Sequence, residues 1–252
     1  MFPYKDDNPQ ILVPYATYAI IAINIITWFF VQGAGFGESL GHSICKYGVI
    51  PEIVTQDFPN IQNCRSNIGT TSVITSMFLH GGWWHLIGNM VFLWVFGGNV
   101  EDSMGSLRFS FFYFCSGFFA TASQVLSEPT SPIPMIGASG AIGGILGAYL
   151  LFYPKVRVHL LVFFIIIFPI RVPAYAMLGY WFVLQTINGL MSDSSVGGTA
   201  FWAHAGGFLA GIGLGYMLKD KELLIGHPHY GWQTQAPPET IWNKKENQHK
   251  ND

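Results

Sequence analysis

Gly137-Ala138-Ser139-Gly140 places a serine between glycines at the mouth of an apolar, small-residue stretch that runs to Phe152. Glycines put no side chain over the neighbouring hydroxyl, so another helix or a substrate backbone can come close. Ser139 is therefore a candidate nucleophile, and a nucleophilic serine needs a base. His204, in Ala203-His204-Ala205-Gly206-Gly207, opens a second apolar, small-residue stretch far downstream and is the candidate base. A third cluster, His80-Gly-Gly-Trp-Trp-His85-Leu-Ile-Gly-Asn89, puts His85 and Asn89 four residues apart on one helix face. An imidazole N–H and an amide NH₂ can stabilise the oxyanion of an acyl transfer, and the backbone N–H of Ser139 at a helix N-terminus is a third donor. Together these residues describe acyl transfer through a tetrahedral intermediate, as in peptide-bond hydrolysis.

The elements that must position this set are membrane helices. Half of the 252 residues are hydrophobic, a tenth are charged, and 21 are phenylalanine; mean hydropathy is +0.36. Water-soluble domains carry roughly a quarter charged residues. The net charge of −2 and the lack of a lysine or arginine cluster exclude a nucleic-acid-binding role. The fold class expected is all-α, a polytopic membrane protein with six spans. These are Tyr15 to Val31, Trp84 to Val100, Leu107 to Leu126, Ser139 to Phe152, Pro173 to Leu190 and Phe201 to Leu218. The stretch His159 to Ile170 is apolar, but twelve residues cannot span and Pro169 and Pro173 interrupt it. It reads as an interfacial or re-entrant segment, with a seventh span as the alternative.

Residues 1–14 are expected to form a cytoplasmic N-terminus with no removable signal visible, residues 15–218 the membrane domain and residues 219–252 a weakly ordered cytoplasmic tail. Residues 32–82 form a large outer loop. Placing the N-terminus inside leaves ten basic residues on the cytoplasmic side and only Lys46 and Arg65 opposite, so both termini are expected inside. Ser139 and His204 then both begin inward-running helices at the outer side. Ser139, Gly143 and Gly147 share one helix face, as do His204, Gly207 and Gly211. Small residues at that spacing, with Gly140 beside the serine, let two helices dock closely in lipid and bring hydroxyl and imidazole together.

The ordered set His80-x4-His85-x3-Asn89, Gly137-x-Ser139-Gly140 and Ala203-His204-x-x-Gly207, with Glu101-x-x-x-Gly105, resembles the rhomboid intramembrane serine proteases. The resemblance covers about Tyr15 to Leu218. It implies Ser139 as nucleophile and His204 as base of a dyad without a third acidic residue. It implies an oxyanion hole of His85, Asn89 and the Ser139 N–H beside Gly137, with His80 holding active-site water. It also implies single-span membrane proteins in the lipid bilayer as substrates, no cofactor, and a gate near Trp181 and Phe182. The compact layout is similar to bacterial members, which implies an inner (plasma) membrane. The chain departs from many bacterial members at Thr71 and Ser72, where those carry a Trp-Arg pair.

Other readings stand beside this one. A Gly-x-Ser-Gly alone is a common packing element. His80 and His85 as zinc ligands would sit about 140° apart on a helix, with no glutamate between them, so no metal is expected. A non-cutting transporter or chaperone-like protein could also use intramembrane histidines. Glu101 and Asp102 read as ties at a helix end, and Cys45 and Cys64 fall together in the outer loop, where a disulfide can form. Nothing in the sequence sets an oligomeric state.

Overall fold

A computed structural model describes residues 2–56, 64, 67–163, 167–192, 198–225 and 227–232. It is mostly helical. A first strand β1 (Phe2–Asp6) precedes helix α1 (Tyr15–Phe30), and the segment after it holds α2 (Glu38–Tyr47), α3 (Pro51–Thr55) and α4 (Ser72–Thr75). Next come α5 (Trp83–Phe92), a π-helical turn (Leu93–Gly97) and α6 (Gly98–Asp102), one continuous rod. Helices α7 (Ser106–Ser127) and α8 (Ser139–Phe152) lead to strands β2 (Arg157–Phe163) and β3 (Ile167–Pro173). The chain ends in α9 (Ala174–Met191), α10 (Phe201–Leu218) and the short α11 (Lys221–Ile225).

Helix α8 is the centre. Every residue from Ala141 to Tyr149 is buried, as expected of a helix that is apolar on all sides and wrapped by others. Its neighbour α10 lies unusually close. A Cβ built on Gly143 would meet the His204 carbonyl oxygen at 2.8 Å, one on Gly147 the Phe208 oxygen at 2.1 Å and one on Gly211 the Gly144 oxygen at 2.0 Å. Gly207 faces the Gly140 oxygen in the same way, and Gly140 faces the Ala120 methyl of α7. Backbone against backbone leaves no room for side chains, so these glycines set the α8–α10 distance.

The bundle's outside is apolar. Phe30 and Trp84 are 85% and 87% exposed, with Phe111, Phe118, Leu126, Tyr180 and Leu209 also on the surface. Leaving such side chains in water would cost about 1.5–3 kcal/mol each, which lipid removes. By length and composition taken singly, α7 is the one helix among the described residues long and apolar enough to cross a bilayer; α1 and α8 are apolar but shorter, as helices buried in a bundle can be.

Three sequence expectations need correction. The protein is not purely helical. His159 to Ile170, expected as an interfacial or re-entrant segment with a seventh span as the alternative, is not a spanning helix: its flanks form β2 and β3, antiparallel from Arg157 opposite Pro173 to Phe163 opposite Ile167. β1 pairs antiparallel with the other edge of β2, giving the order β1-β2-β3. Pro169 and Pro173 are tolerated because β3 is an edge strand whose outer side needs no N–H donors. Residues 2–14 are thus part of the fold. So is the start of the tail: α11 follows α10, the Gly231 N–H bonds to the Phe152 carbonyl at 2.7 Å, and His227 is buried 4.7 Å from the Tyr153 ring. Residues 233–252, including His249, lie outside the described residues.

Candidate active site

Ser139 is the first residue of α8, and the turn before it is built around Gly137. Gly137 has φ of +120°, a left-handed conformation open to glycine, and its N–H donates to the Ser76 carbonyl at 2.9 Å. That geometry turns the chain sharply into the helix and leaves the Ser139 N–H among the first-turn donors that have no carbonyl of their own helix to bond. His204 lies in the first turn of α10. The glycine contacts bring these two helix starts together, and Ser139 Oγ lies 2.8 Å from His204 Nε2. The other ring nitrogen, Nδ1, is 2.7 Å from Gln185 Oε1 on α9, and Trp181 of the same helix stacks on the ring at 5.8 Å and 30°.

His85 stands on α5 beside this pair, with Asn89 one turn further along the same helix. His85 Nδ1 accepts a hydrogen bond from the Gly81 N–H at 3.2 Å, so Nε2 carries the ring proton. A Cβ on Gly137 would lie 2.8 Å from that Nε2 and 3.4 Å from Ser139 Oγ. The imidazole N–H is therefore aimed at the space next to the hydroxyl. Asn89 is buried, and its amide Nδ2 has no partner among the described residues. His80 is fully buried, packs edge-on to His85 at 5.0 Å, and likewise has no partner among the described residues for either ring nitrogen. A cavity of about 20 Å³ lined by Ser76, Met77, Gly117, Gly137 and Ser139 adjoins the hydroxyl and has room for one water. No group of three or more metal-ligating side chains occurs among the described residues.

Three amides that the sequence reading passed over hold this end of the bundle. Gln32, at the end of α1, both donates to the His80 carbonyl and accepts from the His80 N–H, each at 2.8 Å. Gln124 of α7 accepts from the Ala203 N–H at 3.2 Å, satisfying a first-turn donor of α10. Gln185 bonds His204. The signal for Gln124 and Gln185 was an uncharged polar residue inside an otherwise apolar span, costly there unless it has a task. Trp181 and Phe182 also pack on Phe208, at 6.0 and 4.9 Å. Cys45 and Cys64, both between α1 and α5, are joined by a disulfide. Thr71 closes a 3₁₀ turn and is exposed, while Ser72 begins α4.

Residues 69–221, more than half of the chain, match the family model described as the Rhomboid domain. The chain belongs to the rhomboid family. Similar curated proteins include RHOMBOID-like protein 5 of Arabidopsis thaliana, 31% identical over 71% of this chain and 52% of that protein. Rhomboid protease GluP of Bacillus subtilis is 29% identical over 80% of this chain and 35% of that protein. Rhomboid protein 1, mitochondrial, of Saccharomyces cerevisiae is 29% identical over 58% and 41%. The chain thus spans about half or less of the length of these relatives. Rhomboid proteins are integral to membranes, and the apolar exterior fits that solvent. Relatives from plants, yeast mitochondria and a bacterium give no support to the expected bacterial inner membrane.

Proposed function

We propose that this chain is an intramembrane serine protease that hydrolyses peptide bonds in or beside the membrane-spanning segments of single-span proteins. The observation that carries the reading is the 2.8 Å contact between Ser139 Oγ and His204 Nε2, at the adjoining starts of two helices. In this mechanism His204 takes the hydroxyl proton as Ser139 attacks the scissile carbonyl. His85 Nε2–H, the Asn89 amide and the Ser139 N–H receive the developing oxyanion, and His204 then protonates the leaving amine. A water reaching the site hydrolyses the acyl-enzyme, with His204 again as base. His80, buried against His85, holds water near the dyad. A substrate helix must unwind locally, because peptide bonds inside an intact helix are shielded and hydrogen-bonded.

The reading takes Tyr15–Phe30, the α5–α6 rod, α7, α8, α9 and α10 as six crossings, with both termini on the cytoplasmic side. Two features support it. The dyad lies at one end of α8 and the β1-β2-β3 sheet at the other, where Asp6 accepts from the Tyr149 hydroxyl. The basic residues Lys5, Arg157 and Arg171 belong to that sheet end. The test is cleavage of a panel of single-span reporters together with labelling by a fluorophosphonate, which reacts only with an activated serine. Ser139→Ala and His204→Ala should fold, cut nothing and remain unlabelled. Wild-type activity in either variant would end the proposal, and a folded wild type that neither cuts nor labels would favour a non-cutting, client-binding protein.

A further inference from the structure

We infer that Gln185 is the third member of the catalytic constellation, a positioning residue that sets the tautomer and orientation of His204. The inference rests on the protease reading above and adds to it a group on a helix that carries neither dyad residue. A neutral imidazole has one N–H and one lone pair, and the two cannot be exchanged without moving the ring or its proton. To take the Ser139 proton, Nε2 must present its lone pair, so Nδ1 must carry the hydrogen. Gln185 Oε1 is 2.7 Å from Nδ1, a carbonyl acceptor in line with that requirement. If the wrong tautomer formed, two lone pairs would face each other across this short contact, which is repulsive where little water can intervene.

The same helix controls the ring's other degree of freedom. Trp181 lies four residues before Gln185, one turn away on the same face of α9, and stacks on His204 at 5.8 Å and 30°. The ring is thus held flat by Trp181 and fixed in rotation by Gln185, both from a helix that reaches the α8–α10 pair from the side. An aspartate in this position would stabilise the imidazolium by charge. An amide supplies the acceptor without a buried charge, which a membrane helix disfavours.

The test compares Gln185→Met, Gln185→Glu and Ser139→Ala, purified as full-length protein in detergent, for reporter cleavage and fluorophosphonate labelling. Methionine keeps length and volume but removes the carbonyl acceptor; glutamate restores an acceptor. Gln185→Met should lower kcat and the labelling rate by about 10- to 100-fold with KM nearly unchanged, since a hydrogen bond to the base matters in the transition state rather than in substrate binding. Gln185→Glu should stay within about 3-fold of wild type in both. A loss of packing alone would not be repaired by glutamate and would appear in the melting temperature. Labelling of Gln185→Met at the wild-type rate, with Ser139→Ala silent, overturns the role of Gln185 and leaves the dyad standing. Labelling of Ser139→Ala overturns both.

Discussion

At the level of single residues, the site depends on a backbone conformation as much as on reactive side chains. Gly137 combines a φ of +120° with a Cβ direction pointing at His85 Nε2. Gly137→Ala therefore meets two penalties. Alanine at that φ costs on the order of 1–3 kcal/mol, and its methyl, 2.8 Å from Nε2, must displace the imidazole from the space beside Ser139. Loss of one oxyanion donor lowers kcat by about 10²- to 10³-fold. The expected outcome is a folded but weakly active enzyme, read from reporter cleavage beside the circular dichroism spectrum; full activity would contradict the donor role of His85. Ser139, His204, His85 and Asn89 were legible in the sequence because motif spacing and helix periodicity put each on a definable face. Gln32, Gln124 and Gln185 were not, since an isolated amide in an apolar run does not reveal which distant backbone group or ring nitrogen it meets.

At the level of elements, glycines on facing helices fix the distance at which Ser139 meets His204. The ideal Cβ of Gly211 lies 2.0 Å from the Gly144 carbonyl oxygen, whereas that of Gly213, two residues on, meets nothing within 4 Å and faces outward. Gly211→Ala must push α10 away from α8, a small-to-large change worth roughly 1–3 kcal/mol of stability. Gly213→Ala should be neutral or slightly stabilising, because alanine is the better helix former by about 1 kcal/mol. Thermal unfolding in one detergent, with cleavage measured alongside, tests the pair; equal effects would mean the glycines do not set the spacing. The docking of α8 on α10 was readable from fourfold glycine spacing. The sheet was not, because β2 finds one partner at the extreme N-terminus, and a local hydropathy pattern holds no record of a strand more than 150 residues away. Glu101 shows the same limit. It caps α1 by accepting from the Ala16 and Thr17 N–H groups at 3.0 and 2.8 Å, while Asp102 accepts from Ile11 and Leu12, a tie expected in kind but with partners that only the fold reveals.

At the level of the whole molecule, the end opposite Ser139 is closed by contacts of Asp6 and His227 with the bundle, and these titrate. Asp6 accepts from Asn99 Nδ2 at 2.9 Å and from the Tyr149 hydroxyl, and burial raises its carboxyl from 3.8 to about 6. His227, buried beside Tyr153 with Nδ1 accepting from the His229 N–H, is lowered by burial from 6.5 to about 4. The two act in opposite senses. Between pH 3.8 and 6 the folded state holds the Asp6 proton that the unfolded chain has released, so this group's contribution to stability falls as pH rises through that window. Between pH 4 and 6.5 the unfolded chain binds the His227 proton and the folded state does not, so that contribution is complete above 6.5 and is lost as pH falls toward 4. The slopes overlap and offset each other in the wild type. Asp6→Asn, which keeps the size and the amide acceptor, should expose the histidine term and make the melting temperature drop on acidification from pH 6.5 to 4. His227→Gln should expose the carboxyl term and make it drop on raising the pH from 4 to 6. Melting curves of both variants across that range, in a buffer of constant ionic strength, decide the matter; parallel profiles for the two would show that neither terminal contact is coupled to the folding of the bundle that carries the site.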